Sequence, residues 1–501
     1  MLAGTIYISF LGALALLLLP RRSTTAARVL ALLTASAGFA IALTAFLQHR
    51  SGELETITRI PWIPTLGIEY HLAADGISLC LVLLTGIIAI AGVLFSWNIE
   101  QRTREFFSFY LLLIGAVYGV FLSYDLFLLF VFYEIVIIPK YFLIATWGST
   151  RREYGAMKLA LYSFIGSAMV LVGLIAAYVA AGAKSMSLDS LAGYPFSLHF
   201  QMLAFPLVFV GFAILAGLWP FHTWAPTGHV AAPTAASMLL AGVVMKLGAY
   251  GCLRVAMTLF PLGLGPWGFH LLGLGSWRDV FAVLAVIGIV YGALVALVQK
   301  DFKFVIGYSS VSHMGFILLG LMTLNQIGLS GAIIQMLSHG IIASLLFAVV
   351  GRMVYDRTHT RELAALGPMN LNKAIPFAAV TFVIAGMAGM GLPGFSGFVA
   401  ELMILVGAWH AFPVLAVCVG AGIVIGVVYI WRAMQKAFFV GDAETSAPSQ
   451  LPPISLPERL GAVLLIATSV AIGLYPQMLL RVIAPALNSP LFDGLRKGGW
   501  R

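Results

Sequence analysis

Long apolar stretches, separated by short polar segments, occupy almost the whole chain. They run for about 20 residues, the length of a helix that crosses a bilayer, without the apolar/polar alternation of a half-buried strand. Only helices and closed barrels satisfy every backbone hydrogen-bonding group in lipid, and the missing alternation argues for helices. The pattern predicts an all-α polytopic membrane protein with fourteen transmembrane spans, at 2–20, 27–47, 76–97, 106–124, 125–147, 155–181, 201–221, 233–256, 279–299, 304–323, 329–354, 375–409, 412–438 and 457–478.

The basic residues indicate which way the chain is oriented. Loops with odd numbers, counted from the N-terminus, hold 17 of the 28 Lys and Arg residues, and loops with even numbers hold 5. By the positive-inside rule the odd loops are cytoplasmic, so both termini face the other side. The first stretch, 2–20, lacks a preceding basic region and a following cleavage site, so we expect a retained span rather than a signal peptide.

Composition excludes several classes of protein. Hydrophobic residues make up 61% of the chain and charged residues 9%, a balance that no soluble domain has. The basic residues are scattered over many loops, which excludes a nucleic-acid patch and leaves the lipid bilayer as the surrounding medium. The three cysteines are far apart and no CxxC pair occurs, so we expect no zinc or iron–sulfur site in this chain. Without a nucleotide-binding or haem motif in a fitting context, we expect no cofactor at all.

Three ionisable residues lie deep inside predicted spans. They are Glu134, Lys246 and Glu401. A charge at the bilayer centre costs about 2.5–3.5 kcal/mol, so such residues face protein or water and mark ion pathways. Sodium requires several hard oxygen ligands, and few carboxylates lie inside the spans; Asp125 and Asp279 lie at span edges, the first as a predicted helix cap. The pattern therefore predicts proton translocation.

Two spans are interrupted at corresponding places. LWPF (Leu218–Phe221) breaks the seventh span and GLPG (Gly391–Gly394) breaks the twelfth. Interrupted segments at equivalent positions indicate an inverted repeat with its site near the midplane. We predict three N-terminal spans in 1–105 and a first five-helix repeat, spans four to eight, in 106–258. A second repeat, spans nine to thirteen, follows in 259–440, and a linker, the last span and a tail follow in 441–501.

Several long motifs cover nearly the whole chain: ADGISL (Ala74–Leu79), PFHTWAPTGHVAAPTAASMLLAGVVMKLGAYGCLR (Pro220–Arg254), YSSVSHMGF (Tyr308–Phe316), QMLSHGIIASLLF (Gln335–Phe347), HTRE (His359–Glu362), GLPGFSGFVAELMIL (Gly391–Leu405) and GLYP (Gly473–Pro476). They resemble one known family, the antiporter-like subunits of respiratory complex I (NADH:quinone oxidoreductase), and within it chain M, called chain 4 in mitochondria. Glu401 in place of a lysine and the length favour chain M over chains L and N, and the lack of a lateral helix after span fourteen also argues against chain L.

The resemblance implies a hydrated polar axis through the middle of the membrane, with an input half, an output half and an exit near the twelfth span. It also implies a bacterial inner membrane, periplasmic termini, and chain L-like and chain N-like neighbours. FMN, iron–sulfur clusters and quinone are then expected in partner subunits. The implied axis residues of this chain are Glu134, Lys158, His222, His229, Lys246, His313, His339 and Glu401.

One position departs from the family. The family has a seventh-span lysine that pairs with the fifth-span glutamate, but Leu215 stands there, and the fifth span carries an unusual Lys140. Our hypothesis is that Lys140 supplies the relocated charge, because a buried carboxylate without a partner is strongly disfavoured. Six residues on a helix place Lys140 about 120° around and ~9 Å along from Glu134, which favours a water-bridged pair over a direct one.

Other interpretations stay open. Lys140 could extend to an interface, Lys158 could anchor a span end, and the four histidines could be packing residues with satisfied hydrogen bonds. The chain could also belong to a multi-chain Na⁺/H⁺ antiporter or a membrane-bound hydrogenase. A third alternative is a structural subunit of complex I in which pumping is reduced.

Overall fold

The computed structural model describes residues 1–49, 53–271, 274–439 and 450–497, with backbone alone for 267–271 and for Lys497. Within these ranges, twelve helices are long and apolar enough to cross a membrane, and four shorter apolar helices accompany them. The predicted all-α polytopic fold is confirmed. The count of fourteen spans stays a prediction, because the first span and each half of the twelfth fall among the shorter helices.

The helices follow the predicted spans closely. In chain order they are α1 (Ala3–Leu18), α2 (Thr24–Gln48), α3 (Gly76–Phe95), α4 (Thr103–Leu122), α5 (Leu126–Trp147), α6 (Arg152–Ala180), α7 (Leu198–Ala231), α8 (Thr234–Met257), α9 (Trp277–Val298), α10 (Phe302–Met322), α11 (Gln326–Thr358), α12 (halves Pro376–Gly389 and Ser396–Ala411), α13 (Pro413–Phe439), α14 (Leu456–Leu474) and α15 (Gln477–Leu487). Short helical segments at Leu188–Ala192, Leu363–Leu366, Leu371–Ala374 and Asp493–Lys497 lie in the connections.

Two hairpins lie in even-numbered loops and were not predicted. β1 (Glu55–Ile63) pairs antiparallel with β2 (Ile68–Ala74), and β3 (Pro266–Leu271) pairs with β4 (Leu274–Ser276). The first hairpin turns at Gly67, whose φ of 61° is left-handed. A Cβ there would lie 1.9 Å from the carbonyl oxygen of Lys184, so only glycine fits the turn.

The interrupted spans are broken where the sequence predicted. In α7 the helix stops at Ala216, and Gly217 takes a φ of 82° before the chain resumes as a helix at Trp224. Between the halves of α12, Gly391 and Gly394 take φ values of 71° and 98°. L side chains rarely adopt such angles, so these glycines allow the breaks.

Matching features in the two halves support the predicted repeats. Asp125 caps α5 by accepting hydrogen bonds from the amides of Phe127 and Leu128, at 2.9 and 3.0 Å. Asp301 caps α10 in the same manner, with amides at 2.8 and 3.2 Å. Each aspartate also forms an antiparallel bridge to the segment after the next helix, at Ser187 and at Glu362. The domain boundaries themselves stay a prediction.

The centre of the molecule consists of four nearly buried helices, α3, α8, α10 and α11. Most residues of helices α2, α13 and α14 are at least partly exposed instead, as expected of surfaces that face lipid. Three of the predicted site residues, Lys246, His313 and His339, are carried by the helices with the least access to the outside.

The C-terminal segment contains more structure than the predicted tail. α15 is a short amphipathic helix after α14, and it packs on the start of α3. Contact is backbone to backbone, since a Cβ on Gly76 would lie 1.9 Å from the carbonyl oxygen of Val482. The pattern of the last span did not predict α15, because eleven residues are too few to cross a bilayer.

Buried ion pairs fasten α14 to the end of α11. Glu458, in the first turn of α14, has a side chain that is 2% exposed. One of its oxygens forms an ion pair with Arg352 Nε at 2.5 Å, and the other accepts a hydrogen bond from Arg357 Nη2 at 2.8 Å. The same carboxylate accepts from the Ser455 amide at 2.7 Å, which completes a capping box.

We expect Glu458→Gln to destabilise the protein by about 3–5 kcal/mol, because it leaves buried guanidinium groups without their carboxylate. The thermal unfolding midpoint in mild detergent measures this. Glu69→Gln is the matched control: its partner Arg59 is exposed, and such surface pairs contribute about 0–1 kcal/mol. Equal midpoints for the two variants would contradict the assignment.

Candidate functional site

Two glycines let α8 and α11 approach closely at the centre. A Cβ on Gly242 would lie 2.4 Å from Ser344 Oγ, and one on Gly340 would lie 2.7 Å from the carbonyl oxygen of Gly242. Small residues at a crossing allow helix backbones to approach in a membrane protein. The side chain of Ser344 strengthens the contact by donating to the carbonyl of Met238 at 3.0 Å.

Lys246 lies one turn beyond this crossing and is fully buried. The preceding segment, Leu240–Val244, is a π-helical turn, and the Lys246 ammonium donates to the carbonyl of Ala241 within it. Its Nζ also lies 2.8 Å from Nδ1 of His339 on α11. π-helical turns loosen the regular backbone hydrogen bonding and are frequent at functional sites.

From His339, contacts between ionisable side chains continue across two further helices. The rings of His339 and His313 stack at 5.3 Å between centroids and 5° between planes. His313, on α10, places Nε2 3.4 Å from Oε1 of Glu401 on α12. We call Lys246, His339, His313 and Glu401 the central row; four helices each contribute one member.

The break in α12 shapes the end of the central row. A Cβ on Gly391 would lie 2.7 Å from Oε2 of Glu401, so the glycine gives the carboxylate its space. The carbonyl of Gly389 lies 3.3 Å from His313 Nε2, and the carbonyl of Ser309 lies 2.8 Å from His313 Nδ1. The break in α12 thus bends the chain and lies against the pair of His313 and Glu401.

In two contacts of the central row, a shared proton can reside on either partner. Since His313 Nδ1 donates to the Ser309 carbonyl, a proton between Nε2 and Glu401 resides on the ring or on the carboxyl. Likewise, a proton between Lys246 and His339 gives either an ammonium beside a neutral ring or a neutral amine beside an imidazolium. The arrangement suits stepwise proton transfer.

A second polar group surrounds the break in α7. Lys158 Nζ lies 3.4 Å from Thr227 Oγ1, and the hydroxyls of Tyr162 and Thr223 are 3.0 Å apart. His222, next to the break, packs against the ring of Tyr291 at 5.2 Å. Within the part of the chain that the structure describes, neither nitrogen of His222 has a hydrogen-bond partner.

His229 lies between this group and the central row. It is fully buried, and its ring contacts Phe347 at 5.1 Å between centroids. Among the described residues, neither ring nitrogen of His229 has a hydrogen-bond partner.

Lys303 is a buried charge that the sequence analysis did not single out. It follows the N-cap of α10 and was counted with a loop, yet it is only 2% exposed. Its Nζ donates to the carbonyl of Ala232 at 3.0 Å, at the bend between α7 and α8. The position of Lys303 near a span end did not predict its burial, because the bend that covers its side chain comes from a distant part of the chain.

Lys140 lies inside the protein rather than at an interface. Its side chain is 1% exposed and donates to Ser163 Oγ on α6 at 2.8 Å. Within the described residues no ion pair within 4 Å joins it to Glu134, in keeping with the predicted geometry. Glu134 is half-buried, and its buried Oε1 lacks a hydrogen-bond partner. Leu215, 2% exposed, packs beside Gly248 of α8.

Comparison with known proteins places the chain in a family. Residues 123–426 match the family model described as NADH:quinone oxidoreductase/Mrp antiporter, transmembrane. The NADH-quinone oxidoreductase subunit M of Escherichia coli strain K12 is 36% identical over 509 residues, 98% of this chain and 97% of the relative. This chain belongs to the subunit M family.

Solved structures agree with the membership in the subunit M family. A chain of respiratory complex I from Thermus thermophilus superposes with a TM-score of 0.88 at 27% identity, covering 100% of both chains. A chain of the Mrp complex from Dietzia sp. DQ12-45-1b superposes with a TM-score of 0.85, covering 98% and 97%, but its identity of 22% shows the fold alone. Among the described residues, no three His, Cys, Asp or Glu side chains are grouped to hold a metal ion.

We expect Gly340→Ala to destabilise the α8–α11 crossing by about 1–3 kcal/mol, because its Cβ would lie 2.7 Å from the backbone carbonyl of Gly242 and 2.9 Å from the side chain of Leu84. The thermal unfolding midpoint in detergent measures the loss. Gly420→Ala on α13 is the control, since its Cβ meets nothing within 4 Å. If Gly340→Ala unfolds no earlier than Gly420→Ala, the close crossing is not required.

Proposed function

We propose that this chain is a proton-translocating membrane-arm subunit of NADH:quinone oxidoreductase, driven by redox chemistry in other subunits. The observation that carries the proposal is the central row, in which four ionisable side chains from four helices follow one another in direct contact. FMN, iron–sulfur clusters and quinone would belong to partner subunits, and chain L-like and chain N-like subunits would be its membrane neighbours.

Proton transfer along the row needs groups whose two protonation states lie close in free energy. Burial in an apolar interior in general disfavours a charged form, and a neighbouring charge then decides which protonation state prevails. A change of charge at one end therefore moves a proton to the next group. Carrying one charge through the membrane potential costs about 2.3 kcal/mol per 100 mV, which the redox reaction must supply.

Protons would reach the row through the first half of the chain. The candidates for this input are Glu134, Lys140, Lys158, His222 and His229. Because buried histidine nitrogens there have no protein partner, water molecules would complete the path. The odd loops, rich in Lys and Arg, would lie in the bacterial cytoplasm, and the termini would lie in the periplasm.

The geometry favours protons over sodium. A sodium site needs several oxygen ligands, whereas the central row offers one carboxylate, two imidazoles and an amine. Function in a Na⁺/H⁺ antiporter remains the competing proposal, since the family description includes Mrp antiporters. A purely structural subunit is the other alternative.

We expect Lys246→Met to lower the number of protons pumped per NADH oxidised, because it removes the first member of the row. Proton uptake by membrane vesicles during NADH oxidation gives the ratio. Lys300→Met, at an exposed position, controls for the loss of a positive charge. An unchanged ratio would favour the structural alternative, and a ratio that varies with sodium concentration would favour the antiporter.

The position of Lys140 gives a second test of the input half. We expect Lys140→Met to lower the proton ratio, because Glu134 then loses the cation in its surroundings. Adding Leu215→Lys to that variant should restore part of the ratio, since a lysine returns on the neighbouring helix. If the double variant pumps no better than Lys140→Met, Lys140 does not replace the missing lysine.

A further inference from the structure

A second series of polar side chains leads away from the central row along α8. Lys246, Tyr250 and Arg254 lie four residues apart, so they share one face of the helix and follow one another at about 6 Å along its axis. All three are buried. They run from the middle of α8 toward the end of the molecule that carries β1, β2 and α15.

Hydrogen bonds link this face of α8 to α3. The hydroxyl of Tyr250 lies 3.2 Å from Ser78 Oγ, and either oxygen can be the donor in this contact. The same tyrosine hydroxyl can instead donate to the carbonyl of Phe121, also at 3.2 Å. Ser78 Oγ also accepts from Nη2 of Arg254 at 3.5 Å. Thus Ser78 joins the tyrosine hydroxyl to the arginine.

The path reaches a buried ion pair at the start of α3. Arg254 Nη2 donates to Asp75 at 2.6 Å, and both side chains are 2% exposed. Asp75 also caps α3 by accepting from the Ser78 amide at 2.9 Å. The pair is incompletely satisfied, since Nε and Nη1 of Arg254 are buried without any hydrogen-bond partner. A bidentate arginine–carboxylate pair would use two of these groups.

An open cavity of about 810 Å³ lies at the same end of the molecule. Tyr124 and Asp189 line it, with the tyrosine hydroxyl donating to Asp189 Oδ1 at 2.7 Å. The amide of Tyr124 donates to the carbonyl of His71 at 2.9 Å, on the strand β2 that leads directly to Asp75. The residues around Asn488, after α15, form the other wall.

We propose that Tyr250, Ser78 and the Asp75–Arg254 pair form a gated proton outlet from Lys246 to this cavity, separate from the exit at Glu401. The inference rests on the proposed function. The position of Lys246 makes it the branch point, because its side chain now bends back to Ala241 and His339 and would turn the other way to face Tyr250.

The steps balance as transfers of a single proton. The Lys246 ammonium gives a proton to the Tyr250 hydroxyl, which passes its own proton to Ser78, and Ser78 passes one to the Asp75 carboxylate. Lys246 is left neutral, and Asp75 later releases its proton to water in the cavity. Arginine does not give up its proton, so Arg254 acts as the gate. When Arg254 is paired with Asp75, it keeps the carboxylate ionised and repels an incoming proton. When Arg254 is displaced, the carboxylate can accept a proton.

The test compares two tyrosine variants in the complete complex. Tyr250→Phe removes one hydroxyl and keeps the ring that packs at 5.2 Å on Phe121. Tyr110→Phe removes an equally buried hydroxyl, which bonds to the carbonyls of Ile88 and Ala89 away from this path. We expect Tyr250→Phe to lower protons pumped per NADH, though less than Lys246→Met, which removes the branch point itself, and Tyr110→Phe to leave the ratio unchanged.

Three outcomes separate the two proposals. If Lys246→Met and Tyr250→Phe both lower the ratio, the outlet is supported. If Lys246→Met alone lowers it, the proposed function stands and the outlet is overturned. If neither variant lowers it, both proposals fail.

The ion pair is tested by its neutral counterpart, Asp75→Asn with Arg254→Gln, since removing one partner alone would leave a buried charge unpaired. A merely structural pair predicts normal pumping in complexes that assemble, measured by flavin content. The outlet predicts fewer protons pumped per NADH in the double variant, because the carboxylate that accepts the proton is gone. Unchanged pumping in assembled complexes overturns the outlet through this pair.

Discussion

Burial of charge in an apolar environment is the constraint on which the arrangement of this protein depends. An ionised group that is removed from water needs a partner or loses its charge, because the free-energy cost of leaving it unpaired exceeds what packing recovers. The central helices satisfy this requirement pair by pair. Lys246 has His339 and a backbone carbonyl, His313 has Glu401, and Lys303 has the carbonyl of Ala232. Partners that stabilise a charge in one state can also take its proton, so the same contacts serve folding and transfer.

Backbone irregularity is what makes these partners available. A regular helix uses all of its carbonyls internally and keeps its neighbours 8–10 Å away. Here a π-helical turn supplies the carbonyl for Lys246, Gly242 and Gly340 bring α8 against α11, and the break in α12 leaves space for Glu401. These deviations occur where charges are buried, so in this fold the distortion of a helix and the placement of a buried charge depend on each other.

The sequence predicted the parts of this arrangement that follow from depth along a span. Lys246 and Glu401 stood out because apolar residues flank them on both sides, and the breaks stood out because glycine and proline interrupt a helix in a recognisable way. The stacking of His313 on His339, the burial of Lys303 and the Asp75–Arg254 pair depend on which helices become neighbours. Hydropathy carries no information on that. The first hairpin and α15 were not predicted for another reason: short segments at a membrane surface give no long apolar signal.

The contact of Lys246 with His339 has a particular position, because it joins the two predicted repeats. Lys246 belongs to the last helix of the first repeat, whereas His339, His313 and Glu401 all belong to the second. A proton that crosses this contact passes from one half of the molecule to the other, and the flanking crossing at Gly242 and Gly340 fixes the distance it travels. Any movement of one repeat against the other would alter this 2.8 Å separation. A transfer between the halves would therefore depend on their relative position, whereas His339, His313 and Glu401 all lie within one half.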